Sequence, residues 1–581
     1  MNAFGLPDVL HPAALALALL GPAASAFRAR ATGWAVAAAL PALALAFAKP
    51  FEARIELMLL GARFGVNPGN APFLLLAGSL WLAATWFARH YMAHAPHAER
   101  YHLFHRLAMT GNFGLILAQD LATFYFFFAL MSLSSYPLVI HDGRTVSRRA
   151  GRVYLALALL GEVVQFAAFS AIAAHAGAWT FDAARAALID APHRLGLMAL
   201  LLAGFGIKAA LVPLHVWLPL AHPVAPTPAS AVLSGSMIKA GLLGWLNLLP
   251  LGAVAAPAHG EVLIVAGLIG VFGAALVGVA QRQPKAVLAY SSISQMGLMI
   301  LAVGIGLARP EAMKYVFPAV VLYALHHALA KGALFLGVGM ASGAPRGRRG
   351  RAWLWIGMLL PALALAGFPL SSGAAAKVFL KAAAAQAPGE WSERLSALLS
   401  LGAVGTTLLM ARFMWMLRGK IARDPDGHHA LARGIWVPWL LLIALVLALP
   451  WWLAFRLAPD KAASAAAIEY ALPFLWPVLA GAAVAGMAAG VARRAIPEVP
   501  QGDLLAVPAW AVARLVSFYR LHRSTLGARV RAADEARAAA RTALKNLLRA
   551  LAGAERYLRT LGVAGIALAL LTALLIWRLS E

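Results

Sequence analysis

The sequence predicts an all-α polytopic membrane protein of about sixteen transmembrane helices, and three observations predict it. Hydrophobic residues make up 62% of the 581 and charged ones 12%, with a mean hydropathy of +0.76; a soluble domain would carry about a quarter charged residues. Most of the chain divides into apolar stretches of roughly 17 to 25 residues, each long enough to cross a hydrocarbon core. The basic residues fall mainly in alternate loops, as the orientation of a polytopic protein requires. The net charge of +26, from 49 Lys and Arg against 23 Asp and Glu, would otherwise suggest an anionic polymer as partner. So apolar a chain lacks the solvating surface of a nucleic-acid binder or a disordered basic tail. With no cysteine, it holds no disulfide, Cys-ligated zinc or iron–sulfur cluster. Redox chemistry, if coupled to it, belongs to other subunits.

In chain order, Met1 to about Phe27 reads as a retained first span, because Asp8 but no Lys or Arg precedes the apolar run. Spans then begin near Gly33, Phe73, Arg106, Leu121, Val153, Arg194, Ser230, Val262, Ala286, Tyr315, Trp353, Leu395, Gly434, Tyr470 and Leu561. Sorting the intervening loops by parity gives roughly nineteen basic residues on one side and ten on the other. Arg144, Arg148, Arg149 and Arg152 form one cytoplasmic cluster, and Arg346, Arg348, Arg349 and Arg351 another. Both termini then lie outside, on the periplasmic face of a bacterial inner membrane.

Residues 501–560 do not read as a span. Eleven Lys or Arg from Arg514 to Arg559 interleave with Leu544, Leu547, Leu548, Leu551 and Leu558 at helical spacing, which predicts an amphipathic helix with a basic face. At about 1.5 Å per residue it would run some 80 Å if unbroken. It either lies on anionic lipid or braces neighbouring subunits, and Gly527 and Gly553 are places where it can break. Residues 561–581 follow as an anchoring helix.

Ionisable residues and prolines inside spans are costly in lipid and mark protein-lined or hydrated cavities. Lys208 sits in mid-span five residues before Pro213, and Lys239 lies on the next helix. His327 and Lys331 are four apart, hence on one helical face. Pro369 interrupts a later span just before Lys377. The two breaks are five spans apart, so residues 105–250 and 251–420 read as two five-helix units. An odd number of spans inverts the second unit, a design of transporters. Residues 1–104 supply three helices before them and 421–500 two after.

The stretch from Lys208 to Gly241, the segment Arg282-Gln283-Pro284-Lys285 to Gly297, the His327–Lys331 pair and the Pro369–Lys377 region resemble the antiporter-like subunits of respiratory complex I. The same family includes subunits of Mrp-type cation/proton antiporters and of complex-I-related membrane hydrogenases. Sixteen spans with a lateral helix before the last are closest to the L-type subunit, as is Lys377, whereas Lys239 resembles the M-type. The resemblance implies a proton relay with Lys208 as switching lysine, Lys239, His327 and Lys331 as intermediates, and Lys377 as terminal exchange site. It also implies a glutamate on the fifth helix paired with Lys208. That position falls on Ala129, or on Leu130 in the alternative register, and neither is an acid. Glu162 in the sixth span is the nearest intramembrane replacement. Asp120 is the other candidate, although its place before Leu121 also suits a helix cap.

His90, His94, His97, His102 and His105 read as a solvated basic loop, not a metal site. Tyr125 to Phe128 and Trp451-Trp452 read as lipid-facing or interfacial aromatics. No Walker loop, dinucleotide fingerprint or nucleophile elbow is present, so no catalytic centre, metal or cofactor is expected in this chain. The expected function is proton translocation, or Na+/H+ exchange, in a multisubunit complex whose other membrane subunits are its partners. A non-pumping membrane scaffold and a cation-coupled subunit of an inorganic-carbon accumulation complex are the alternatives.

Overall fold

The computed structural model describes residues 7–26, 36–59, 61–342, 348–423, 433–467, 469 and 472–491. The expected lateral helix at 501–560 and anchoring helix at 561–581 lie outside the described residues. The chain divides into two compact units, residues 1–54 with 63–503 and residues 55–62 with 504–581. Only 55–59 and 61–62 of the second are described.

Backbone polar groups must be satisfied internally in hydrocarbon, and helices do so within one segment. The regular structure of the described residues is accordingly helical apart from one ribbon. The order is α1 (His11–Ala26), α2 (Leu40–Leu45), the paired strands β1 (Phe51–Ile55) and β2 (Ala62–Val66), α3 (Ala71–Tyr91), α4 (Ala98–Leu117), α5 (Leu121–Val139) and α6 (Thr145–Ala176). Then come α7 (Phe181–Asp190), α8 (Arg194–Lys208), α9 (Trp217–Val224), α10 (Thr227–Val232) and α11 (Lys239–Leu248). The second half holds α12 (Pro257–Val279), α13 (Pro284–Ala308), α14 (Met313–Ser342), α15 (Arg348–Ala366), α16 (Ser372–Ala384) and α17 (Trp391–Arg423). Helices α18 (Trp436–Leu457), α19 (Pro459–Ala466) and α20 (Leu475–Val491) follow. Among the described residues ten helical runs are long and apolar enough to cross a bilayer. The breaks at α8/α9 and α15/α16 interrupt two further expected spans.

Helices α13 and α14 form the buried centre. Helix α12 reaches α13 through paired glycines: a Cβ on Gly267 would lie 2.6 Å from the Gly297 carbonyl oxygen, and one on Gly304 would lie 2.7 Å from that of Gly260. Lipid is as apolar as leucine, so such close backbone approach and its dispersion contacts hold membrane helices together. Peripheral α6 and α18 turn Leu159, Val163, Leu440 and Leu447 outward.

Two sequence expectations change. Helix α4 begins at Ala98, so His102 and His105 are helical; His105 is buried, its ring between the Tyr101 hydroxyl and Thr85 Oγ1, each at 3.2 Å. Tyr101, His105, Met109 and Asn112 recur every three or four residues, a buried face that the basic composition masks. Phe127 and Phe128 are likewise buried, and Phe124 and Phe128 each pack 5.8 Å from the Phe205 ring of α8. Those aromatics fill a helix crossing, and only Tyr125 and Phe126 of the four are partly exposed.

Candidate functional site

Two clusters of buried polar side chains occupy the interior. The first is built where α5, α6 and α8 cross. Gly161 of α6 meets Gly204 of α8 so closely that a Cβ on Gly161 would lie 3.2 Å from the Gly204 carbonyl oxygen. This approach places Glu162, 5% exposed, within electrostatic range of Lys208, 4% exposed. Ser132 of α5 stands near both: its hydroxyl accepts from Lys208 Nζ at 3.2 Å and lies within electrostatic range of the Glu162 carboxyl. The Tyr154 hydroxyl accepts from Lys208 Nζ at 3.1 Å and donates to the Ser132 carbonyl at 2.9 Å. The Lys208 ammonium also lies 5.3 Å and 5.8 Å from the ring centroids of Tyr154 and Trp217, where the ring faces attract a cation. Glu162 Oε1 has no hydrogen-bond partner.

Lys208 ends α8, and residues 209–216, with Pro213 among them, interrupt the span. Pro213 has no amide hydrogen to continue a helix. Ala210 takes a positive φ of 56°, and Trp217 Nε1 donates across the break to the Ile207 carbonyl at 2.8 Å. Ala129 and Leu130, where the family pattern expects an acid, lie on the same helix as Ser132, which follows Ala129 by three residues.

The second cluster runs through the centre. Between α10 and α11 the chain makes one wide π turn, Leu233–Met237, in which the Ile238 amide bonds back to Leu233 instead of Ser234. The Ser234 carbonyl accepts from Lys239 Nζ at 2.9 Å, and that same ammonium lies 2.6 Å from His327 Nδ1. Lys331, one turn along α14, donates to the Leu288 carbonyl at 2.9 Å. Ser292 Oγ also donates to Leu288, and lies 2.7 Å from Ser234 Oγ. His326, adjacent to His327, has Nδ1 3.0 Å from Ser372 Oγ at the start of α16, and it lies within electrostatic range of both Lys239 and Lys377. Lys377 Nζ donates at 2.5 Å to the carbonyl of Ala366, the last residue of α15. The break between α15 and α16 contains Pro369, with Gly367 at φ 87° and Leu370 at φ 61°. A lysine thus answers one of the carbonyls that every helix C-terminus leaves without a helical partner.

The structure therefore brings Lys239, His327, Lys331 and Lys377 into one chain and Lys208 with Glu162 into another. Asp120 joins neither; it caps α5, accepting from the Thr123 amide at 2.8 Å and from the Arg63 amide at 2.8 Å. His326, Ser132 and Tyr154 belong to the clusters without having been singled out by sequence. For His326 a signal exists, since two adjacent histidines in an apolar run point to two neighbouring faces. Nε2 of both His326 and His327 is free of hydrogen-bond partners and buried, so each ring retains a nitrogen with which to exchange a proton. A hydrogen-bonded series of amines, imidazoles and hydroxyls in a protein-lined interior can pass protons by short transfers.

Residues 118–389 match the family model described as NADH:quinone oxidoreductase/Mrp antiporter, transmembrane. Hydrogenase-4 component B of Escherichia coli (strain K12) is 35% identical over 233 residues, 39% of this chain and 35% of that relative. NADH-quinone oxidoreductase subunit M of the same organism is 31% identical over 250 residues, 41% of this chain and 48% of the subunit. The matches to these curated relatives thus span less than half of their length. Among solved structures, a chain of the Mrp complex from Dietzia sp. DQ12-45-1b superposes with a TM-score of 0.71 at 23% identity, over 93% of this chain and 63% of that one. Residues 118–389, which hold both buried clusters from Ser132 to Lys377, are thus the part of this multi-pass membrane chain that is similar to the transmembrane unit of NADH:quinone oxidoreductase and Mrp antiporter subunits.

Proposed function

We propose that the chain is a proton-translocating subunit of a larger membrane complex of the complex I, membrane hydrogenase or Mrp type. One observation carries this reading: the buried series Lys239, His327, His326 and Lys377, in which Lys239 contacts His327 at 2.6 Å and His326 lies within electrostatic range of both lysines, together with the buried lysine–glutamate pair Lys208 and Glu162. Burial favours the neutral form of an amine, and a neighbouring carboxylate restores the charged form. Separation of Glu162 from Lys208 would release a proton into the central series; reunion would take one up. Lys208 is then the switch, Glu162 its partner in place of the acid missing at Ala129, Lys239, His327 and Lys331 the relay, and Lys377 the terminal exchange site. Residues 105–250 and 251–420 are the two inverted halves of this path. The energy comes from electron transfer in partner subunits or from an existing ion gradient, with Na+ exchange as the other coupling mode. We place the complex in a bacterial inner membrane, with the Arg144–Arg152 cluster on the cytoplasmic side and both termini in the periplasm.

Replacement of Lys208 by Ala in an assembled complex tests the reading. Proton movement into sealed inverted vesicles, followed by a pH-sensitive dye, should be lost while the complex still purifies intact. Undiminished acidification would remove the assignment.

A further inference from the structure

A relay that ends at Lys377 needs an aqueous port, and the same helix holds a second amine that suits one. Lys381 follows Lys377 by four residues in α16, one turn and about 6 Å of axial rise. Lys377 is 7% exposed, whereas Lys381 is half-buried. Both side chains line one narrow cavity of about 10 Å³, room for a single water at most, together with Ser400 of α17, Phe474 just before α20 and Pro477 in its first turn. The Lys381 ammonium stands 4.9 Å from the centroid of the Phe474 ring, a cation–π contact that holds it against the α20 wall. The helix ends at Ala384, and Gln386 just beyond it accepts from Arg309 at 3.4 Å in the turn between α13 and α14. Lys381 therefore lies between the buried lysine and one end of the bundle.

The electrostatics fit an exchange pair. Among the described residues no carboxylate lines the cavity, and the two ammonium groups are within electrostatic range of each other. Like charges one turn apart oppose double protonation, so a proton arriving at one amine favours release from the other. The walls of the cavity at α17 and α20 lie beyond residues 118–389, outside the matched family unit.

We propose that Lys381 is the proton-exchange residue between Lys377 and the outer aqueous phase, acting through the cavity walled by Phe474 and Pro477. This rests on the relay reading above. In the step an N–H bond at Lys377 breaks as one forms at Lys381, directly or through one bridging water. Lys381 then gives its proton to the outer phase, with no change of oxidation state.

The absence of cysteine from the chain makes a chemical-rescue experiment possible on the assembled complex in sealed vesicles. Lys381→Cys should slow proton translocation by about tenfold or more, the scale of losing a positioned acid–base group. Aminoethyl methanethiosulfonate, which rebuilds an amine at nearly lysine length, should restore it; methyl methanethiosulfonate should not. The unsubstituted complex treated in parallel sets the baseline for thiols of partner subunits. Unchanged translocation in Lys381→Cys, or equal rescue by the methyl reagent, would overturn the port assignment when Lys377→Ala is inactive in the same assay. Full activity of both Lys377→Ala and Lys208→Ala would instead overturn the relay on which the port rests.

Discussion

Ser132 stands near both charges of the first cluster, and its position defines what Glu162 must do. Its hydroxyl accepts from Lys208 and lies within electrostatic range of the glutamate, so one side chain that can rotate serves the pair. Glu162→Gln keeps volume and hydrogen-bonding capacity while removing the negative charge. A pump that uses this charge should lose about tenfold to a hundredfold in proton translocation with assembly intact; a membrane scaffold would be indifferent. Equal translocation by parent and variant vesicles would therefore favour the scaffold. The lysines of the site are legible in the sequence because a charge within an apolar run is expensive in lipid and demands a reason. Ser132 and Tyr154 are not, since hydroxyls are common in spans and only the crossing of α5, α6 and α8 decides which of them meet Lys208. Asp120 was legible as either acid or cap, and its two backbone bonds at 2.8 Å occupy it at the helix end.

At the scale of elements, the prolines point to the two interruptions but not to what closes them. Each break contains a non-glycine residue at positive φ, Ala210 at 56° and Leu370 at 61°, a conformation that is rare without compensation. The compensation is tertiary: the Trp217 indole reaches the Ile207 carbonyl, and the Lys377 ammonium reaches the Ala366 carbonyl. The π turn before Lys239 leaves no clear mark in the sequence, because Leu233–Met237 is as compatible with an ordinary helix. The α6/α8 crossing offers a direct test of element placement. A Cβ on Gly204 would lie 2.8 Å from the Gln165 side chain and 3.3 Å from its amide nitrogen. Gly204→Ala should push the helices apart, destabilising the fold by about 1–3 kcal/mol and separating Glu162 from Lys208. Gly196→Ala, on the same helix with nothing within 4 Å of the added carbon, is the control. Thermal unfolding in detergent and translocation in vesicles should both fall for the first variant only; matched losses would show that the crossing is not what positions the pair.

At the scale of the molecule, the alternation of loops can be judged by which loops touch. The Gln119 amide donates to Arg63 and the Phe181 amide to Gln119; Arg185 donates to Asn247, and Arg309 to Gln386. These loops all fall in the parity class poorer in Lys and Arg. At the other class, Arg100 donates to His141, Lys285 to Ala225 and Arg412 to Gln281. None of these bonds mixes the classes, as an odd number of missed or invented spans would have forced. The basic excess of the second class then orients the molecule, and the large net charge becomes a statement about sidedness. Two thiols placed one at a time in the cysteine-free chain test this, Arg149→Cys near the start of α6 and Glu311→Cys in the turn before α14, both exposed. A membrane-impermeant maleimide should label Glu311→Cys from the periplasmic side of right-side-out vesicles and Arg149→Cys only in inverted ones. Labelling of both from one side would break the alternation between the two positions. Reversed labelling would turn the molecule over, and with it the direction in which Lys381 faces the outer phase.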